Sequence, residues 1–578
     1  MNSGSIRRFV TPVAILLFCI LSAAPAHQPF HLDSMDLPAA ARATAETGTP
    51  IYYRGEENPA YSGLFNPPAY VYLLAGWFRI FGFGEAQVRV FGLLCALLQG
   101  VVLLAIWRTL FGPAARSELA PWFWAVFLLN PYTLQTAAIP DIDSTIYGPL
   151  LGLVLLAVLR LSWRDGRWRE DPPRSREYVL LAAAIMAALW AKLTTVWLVV
   201  PFVLPLLLSR FGFWRAVRIF AAVTAAGLAG FLLTYFAYGG ALQVDVRYTF
   251  ASIFQALSTS GTSGHGGLAA GFSYYFENLR ETVRFMARWT GLVPWLLLGF
   301  GIVVTAHEGF RKRDRRAQHY FLLLLLAGFS TLYYCAQQHI FGAAPFRSTF
   351  VFWGLSLTPV LLFALGYPRN STAPPLPAAC APIGAALVLA SVWYGRYVIR
   401  DTDILLRAPV WDLVAPAVVV FASALWYLKG STRALPYARA ALIAGICVHC
   451  GLQFGTAVYQ AQAPYSTTFD YGQSGLDEAA TFLQLNTSPD QVVASMKDLG
   501  FRARRRYRET YTMIYGGPEG AQKLIGLIAS GKLKFAIFTE GAGQDQLIAN
   551  PPLKLWVDSH CVVVAAFGNY RIYKANQR

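Results

Sequence analysis

The chain has 578 residues, of which 56% are hydrophobic and only 14% charged, and its mean hydropathy is +0.43. That balance excludes an ordinary soluble domain, because apolar runs of ~18–25 residues, enough to cross a hydrocarbon core of ~30 Å, recur through the first 460 residues. The net charge of +17 does not imply nucleic acid: the arginines cluster in short loops between apolar runs, the pattern that orients a membrane protein.

The first apolar run, 9–26, follows Arg7-Arg8 and ends in Ala24-Pro-Ala26. It has the layout of a secretory signal with a small-residue cleavage site, and it is also long enough to span. Directly after it comes His31-Leu-Asp33-Ser-Met-Asp36, which places two carboxylates in a short polar loop at the membrane surface. Carboxylates are costly to desolvate, so their position beside lipid points to function, although loop carboxylates also serve simply to solvate a turn. Arg42 and Glu46 follow at helical spacing. Asn66-Pro-Pro-Ala-Tyr70 then leads into the aromatic-rich stretch 71–83, which suits a helix lying in the interface.

Twelve further runs read as spans, at 88–110, 119–138, 144–162, 178–191, 194–209, 218–238, 289–306, 319–337, 349–366, 377–395, 409–428 and 438–459. Alternate loops hold Arg164, Arg167, Arg169, Arg174 and Arg176; Arg210, Arg215 and Arg218; Arg311, Lys312, Arg313, Arg315 and Arg316; and Lys429, Arg433 and Arg439. With a cytoplasmic N-terminus and about thirteen spans, all these cations fall inside and the C-terminal region falls outside. Three segments then face outward: 27–87, 239–288 and 460–578. Within the second, 258–267 is Ser- and Gly-rich and flanked by Phe254 and Tyr274-Tyr275, which suits either a lid or a plain linker.

Other polar residues stand at the outer ends of spans. Pro140-Asp141-Ile-Asp143 separates the third and fourth. Alternating carboxylates can share a divalent cation or bind sugar hydroxyls, whereas a helix N-cap needs only one of them. Lys192 interrupts Ala-Leu-Trp-Ala-Lys192-Leu-Thr-Thr195, Arg347 opens the tenth span, and Arg284 and Arg288 precede the eighth. Each can snorkel to the headgroups or meet a lipid phosphate. Carboxylates suit an incoming hydroxyl and cations suit a departing phosphate. The combination fits transfer of a group from a lipid phosphate to an acceptor.

The seven cysteines give neither a disulfide framework nor a metal signature, and Cys447-Val-His449-Cys450 lies inside an apolar run where it packs. From 461 the composition becomes that of a soluble domain. Helices are expected at 476–485 and 520–530, and strands at 491–496, 533–538, 561–567 and 570–574. This is a small α/β domain without a Gly-rich phosphate loop, nucleophile elbow or zinc motif.

Four stretches together resemble a known family. Asp33 precedes Ala39-Ala-Ala-Arg42-Ala-Thr-Ala-Glu46-Thr-Gly48, a short helix ending in Gly. Asn66-Pro-Pro-Ala-Tyr70 is followed by Trp77-Phe-Arg-Ile-Phe-Gly82 and Val88-Arg-Val. Asn130-Pro131 is followed by Asp143, and Ala191-Lys192 falls in a helix break. In these features the chain resembles the GT-C membrane glycosyltransferases, in particular the group of the lipid A aminoarabinose transferases and protein O-mannosyltransferases. The likeness covers residues 1–210 by motif and the remainder by topology. It departs where the family has Asp-Glu in the first loop, here Asp33-Ser34, and Lys or His before Pro-Pro, here Asn66.

The resemblance implies a polytopic α-helical GT-C module over 1–460, with 27–87 as first outer loop, and a periplasmic α/β domain over 461–578. It implies a retained first helix and a multi-pass protein of the bacterial inner membrane. A sugar would move from a polyprenyl-phosphate carrier to a lipid, glycan or protein acceptor, with inversion. Asp33 would be the general base; Asp36, Asp141 and Asp143 would orient sugar, acceptor or a divalent cation; Lys192 and Arg347 would neutralise the leaving phosphate. The competing readings are a lipid-linked-sugar flippase or other transporter, which calls for charges deep in spans and paired repeats, and a polymerase or ligase using a lipid diphosphate.

Overall fold

A computed structural model of the chain describes residues 3–23, 35–50, 66–113, 145–193, 195–244, 305–311, 313–325, 475–515, 518–540 and 545–576, with single positions between 120 and 142, between 246 and 250, and at 302. The chain divides into two compact units. One comprises Met1–Ala24, Gly92–Tyr235 and Phe250–Gln462; the other comprises Pro25–Phe91, Phe236–Thr249 and Ala463–Arg578.

The helices follow the apolar runs. They are α1 (Ser3–Ala23), α2 (Asp36–Thr47), α3 (Ala69–Phe81), α4 (Glu85–Phe111), α5 (Tyr147–Ser162), α6 (Ser175–Ala191), α7 (Thr195–Leu208) and α8 (Phe213–Leu242). Among the described residues, α4 and α8 are long and apolar enough to cross a membrane, and Thr11–Ile20, Ala69–Phe81, Tyr147–Ser162 and Leu198–Leu208 are shorter apolar helices. The spans expected at 88–110, 144–162, 178–191, 194–209 and 218–238 all coincide with helices. Those expected at 119–138, 289–306, 319–337, 349–366, 377–395, 409–428 and 438–459, and the 258–267 tract, fall wholly or largely outside the described residues.

In the first unit, small residues set the helix spacing. A Cβ at Gly148 would meet Gln99 at 2.8 Å and one at Gly152 would meet Val102 at 2.7 Å, so α5 packs closely on α4. Most of α5 is buried, as expected of a helix surrounded by others. Its last turn leads into a two-stranded hairpin, β1 (Trp163–Arg164) and β2 (Arg167–Trp168), in which Trp163 pairs with Trp168. Asp165 (φ 48°) and Gly166 (φ 79°) make the turn, with the left-handed backbone at both positions that a type I′ hairpin loop needs. The Gly166 N–H donates to the Thr109 carbonyl at 3.0 Å and pins the turn to the end of α4.

The second unit is built on a five-stranded sheet ordered β4-β3-β5-β7-β6. Its strands are β3 (Val492–Ser495), β4 (Arg506–Glu509), β5 (Ala536–Thr539), β6 (Cys561–Phe567) and β7 (Tyr570–Ala575). β3 is parallel to β4 and β5, and β7 is antiparallel to β5 and β6. Period-two alternation gives each face its own core. Val493, Ile537 and Ile572 pack with Leu476, Ala480 and Leu483 of α9 (Leu476–Asn486). Ala494, Phe538 and Tyr573 pack on the other face with Leu524, Ile528, Leu553 and Val557 of two further helices, Pro518–Ala529 and Pro551–His560.

The helices α2 and α3 belong to this same unit. The α2 helix ends at Gly48 in the left-handed region (φ 85°), where the Gly N–H caps the Thr44 carbonyl, as the sequence suggests. Tyr72 of α3 donates from its hydroxyl to the Gly48 carbonyl at 2.9 Å, and Arg79 donates from Nε to the Ala45 carbonyl at 3.1 Å. Phe78 lies 6.3 Å, ring to ring, from Phe501 of α10 (Lys497–Arg502).

Candidate active site

Asp33, Asp143 and Arg347 lie outside the described residues. The remaining candidates are Lys192 and Asp141 in the first unit and Asp36 in the second.

Lys192 sits in a helix break. It follows α6 with extended backbone (φ −156°, ψ 127°), and its N–H still donates to the Ala188 carbonyl at 3.0 Å. Thr195, the first residue of α7, closes the break from the other side. Its Oγ1 donates to the Lys192 carbonyl at 2.6 Å and its N–H contacts the same carbonyl at 3.2 Å. Tyr147, fully buried, shares a 3.0 Å hydrogen bond with Thr195 Oγ1 and presents its ring 6.0 Å from Lys192 Nζ. The break thus fixes one cation over an aromatic ring, a favourable placement for a cation held near apolar surroundings.

Asp141 enters this cluster through the chain. It begins the turn that opens α5, where the Thr145 hydroxyl donates to the Asp141 carbonyl at 2.5 Å and the Tyr147 N–H to the Ile142 carbonyl at 3.1 Å. The structure therefore links Asp141, Ile142 and Thr145 at the start of α5 to Lys192 and Thr195 at the end of α6, through Tyr147. The role of Tyr147 is not visible in the sequence, where it reads as one more aromatic in an apolar run.

Asp36 is engaged by an ion pair. Lys497 Nζ donates to Asp36 Oδ1 and lies 3.2 Å from Glu509 Oε1. The Lys497 and Glu509 side chains are 10% and 1% exposed, against 35% for Asp36. Next to Lys497, Asp498 is buried, accepting from the Leu499 N–H at 2.8 Å and from the Tyr570 hydroxyl at 2.9 Å. Burial, with Asp498 beside it, holds the Tyr570 hydroxyl well above its usual pKa. A second ionic tie joins Arg502 to Glu85 at 2.9 Å and to Asp477 at 2.6 Å. Burial works against the Arg502 cation, but Glu85 and Asp477 outweigh it and raise its pKa. Lys497 carries a sequence signal that could have drawn notice: a Lys-Asp pair directly after a strand of buried apolar residues, at the carboxyl end of a parallel strand where α/β folds place their functional groups.

Beside α2, a cavity of about 460 Å³ is lined by Arg42, Glu46, Arg505, Arg506, Tyr507 and Arg508, among others. Arg42 Nε donates to Glu46 at 2.8 Å, and Arg505 is buried, bonded to Thr487 and to the Gln484 carbonyl. Its charged residues are four arginines against the single carboxylate of Glu46. Among the described residues no group of three or more His, Cys, Asp or Glu side chains is placed to hold a metal ion.

The fold is shared with solved structures of ArnT. It matches a structure of ArnT from Cupriavidus metallidurans bound to undecaprenyl phosphate over 100% of both chains, with a TM-score of 0.55 and 17% sequence identity. It also matches the apo state of the same ArnT over 98% of this chain and 99% of that one, with a TM-score of 0.53 and 16% identity. No protein-family model and no curated protein sequence matches the chain.

Proposed function

We propose that this chain is a glycosyltransferase of the outer face of a bacterial inner membrane, moving a sugar from a polyprenyl-phosphate carrier to a lipid, glycan or protein acceptor. The observation that carries the reading is a fold shared along the full length with an ArnT structure that holds undecaprenyl phosphate. The Lys192 break supports it, since it offers a fixed cation at a helix end.

In this mechanism Asp33 accepts the proton of the acceptor hydroxyl as its oxygen attacks the anomeric carbon. The bond from that carbon to the phosphate oxygen breaks in the same displacement, the configuration inverts, and the electron pair leaves on polyprenyl phosphate. Lys192 and Arg347 neutralise that charge, an effect strengthened where water is excluded. Asp141 and Asp143 orient the sugar or the acceptor, and would be the residues to hold a divalent cation if one takes part. Asp36 orients the sugar or acceptor from the start of α2, where Lys497 holds its carboxylate. In topology the chain crosses the membrane about thirteen times over 1–460, N-terminus inside, with 461–578 in the periplasm.

The test is release of free polyprenyl phosphate by purified protein in detergent, given a polyprenyl-phosphate sugar and an extract of candidate acceptors. Release that depends on acceptor supports transfer. Bound donor without release favours a flippase, which has no two sides to work between in detergent.

A further inference from the structure

The end of the first unit opposite Lys192 carries a second site. Both α5 and α6 run about 25 Å at 1.5 Å per residue, and their far ends, with the end of α4, enclose a cavity of about 570 Å³. We propose that this cavity binds the phosphate of an anionic phospholipid, whose acyl chain lies along α4.

Three observations lead there. The first is charge. The lining holds six arginines against two carboxylates, Asp165 and Glu177. Arg169 is saturated: it bonds Glu177 at 2.6 Å, Asp171 at 2.8 Å and the Arg160 carbonyl at 3.0 Å. Arg108 faces Asp165 at 3.2 Å. Arg160, Arg164, Arg174 and Arg176 make no ion pair among the described residues, and they converge from two helix ends and a hairpin. Guanidinium groups in that number match the several acceptor oxygens of a phosphodiester.

The second observation is an unanswered donor. Trp163 is 2% exposed, lines this cavity, and its indole N–H finds no acceptor among the described residues. A buried donor without a partner is costly; water does not reach it as the ring stands, and a small turn of the indole toward the cavity would bring it to a phosphate oxygen. The third is the stripe beside the cavity. Leu94, Leu98 and Val101 are 44%, 53% and 54% exposed, and at helical spacing they lie on the face of α4 that ends in Arg108. An apolar track that ends in an arginine cluster has the layout of a lipid with its headgroup. It separates this occupant from a soluble phosphate, which would have no use for the track. Basic pockets at the ends of membrane helices are suited to such headgroups.

The site is independent of the transferase reading, so it is tested by binding alone. Full-length protein in neutral detergent would be titrated with cardiolipin, with phosphatidylcholine and with glycerol 3-phosphate, scored by native mass spectrometry. Cardiolipin should bind at least about tenfold more tightly than phosphatidylcholine, and glycerol 3-phosphate should not displace it. The variant R160Q/R164Q/R176Q should lose about tenfold or more in cardiolipin affinity. W163F, which keeps the ring and removes the N–H, should lose a few-fold and serves alone if the triple variant does not fold. Wild-type affinity in the variant that folds overturns the site, and displacement by glycerol 3-phosphate overturns the lipid as its occupant.

Discussion

Lys497 reaches back 461 positions to Asp36 and ties the start of α2 to the C-terminal sheet, with Glu509 at 3.2 Å on its other side. Removing one partner of a nearly buried pair is costly because the other loses its counter-charge. Lys497→Ala should destabilise the protein by about 3 kcal/mol. Asp36→Asn, at the more exposed end, should cost about 1 kcal/mol. In the Lys497→Ala background the Asp36 change should have little further effect. Thermal unfolding in detergent of the two single variants and the double variant checks this, and additive losses would mean that the two side chains act separately.

For Asp33, the expectation is loss of turnover with donor binding intact. Asp33→Asn should lower the rate by roughly 10²–10⁴. Turnover of purified variant protein near the wild-type level would remove Asp33 from the mechanism and make Asp36 the next carboxylate to test.

The helix break gives a more graded prediction. Lys192→Ala should weaken binding of a polyprenyl-phosphate analogue by about tenfold or more, the usual size of a lost charge-assisted hydrogen bond. Thr195→Val keeps the lysine but deletes the hydroxyl that holds its carbonyl at 2.6 Å and meets Tyr147 at 3.0 Å. It should weaken the analogue by a smaller factor. Equal affinity of wild type and Lys192→Ala would make Lys192 an interfacial anchor only.

The Arg169 cluster predicts an acid dependence. Asp171 and Glu177 both titrate below their usual values. For Asp171 the Arg169 hydrogen bond is the main cause; for Glu177 burial pushes upward but Arg169 and the Arg174 N–H outweigh it. Depressed carboxylates contribute stability that is complete above their unfolded pKa, about 4, and is lost as pH falls through the lower folded values. Melting temperature should therefore fall as pH drops below about 4. Glu177→Gln should cost about 1–3 kcal/mol at neutral pH and flatten part of that fall. An unchanged acid profile in the variant would place the acid sensitivity elsewhere.

Where one pattern dominated, the sequence was readable. Uninterrupted apolar runs located α4 to α8, and Cys561–Phe567 and Tyr570–Ala575 stand out as an apolar, Val-rich stretch and an alternating one around a Gly-Asn turn. The edge strand β4 was hidden because Arg506-Tyr-Arg-Glu509 is mostly charged, and only a strand with one solvated edge can carry that sequence. The helix Pro551–His560 was hidden by its opening Pro551-Pro552, which reads as a breaker but here occupies the first turn, under an Asn550 cap that accepts from the Leu553 N–H. At the candidate site, the first-loop acids and Lys192 were visible as charge out of place. Their partners were not: Tyr147 and Thr195 look like ordinary residues of apolar helices, and Lys497 is too distant in sequence for any local rule to connect it with Asp36.

That distance sets a clock on biosynthesis. A ribosome adding ~5–20 residues per second needs roughly 20–90 s to travel from Asp36 to Lys497. Throughout that interval α2 and α3 have been made, while the sheet that completes their unit has not. The segment must wait, with Phe78 still lacking Phe501 and Asp36 still lacking Lys497. A ribosome that stalls before residue 497 releases a chain whose earliest loop is left unfinished. Quality-control proteases that sense exposed apolar loops can then read, at the front of the molecule, whether its end was ever made.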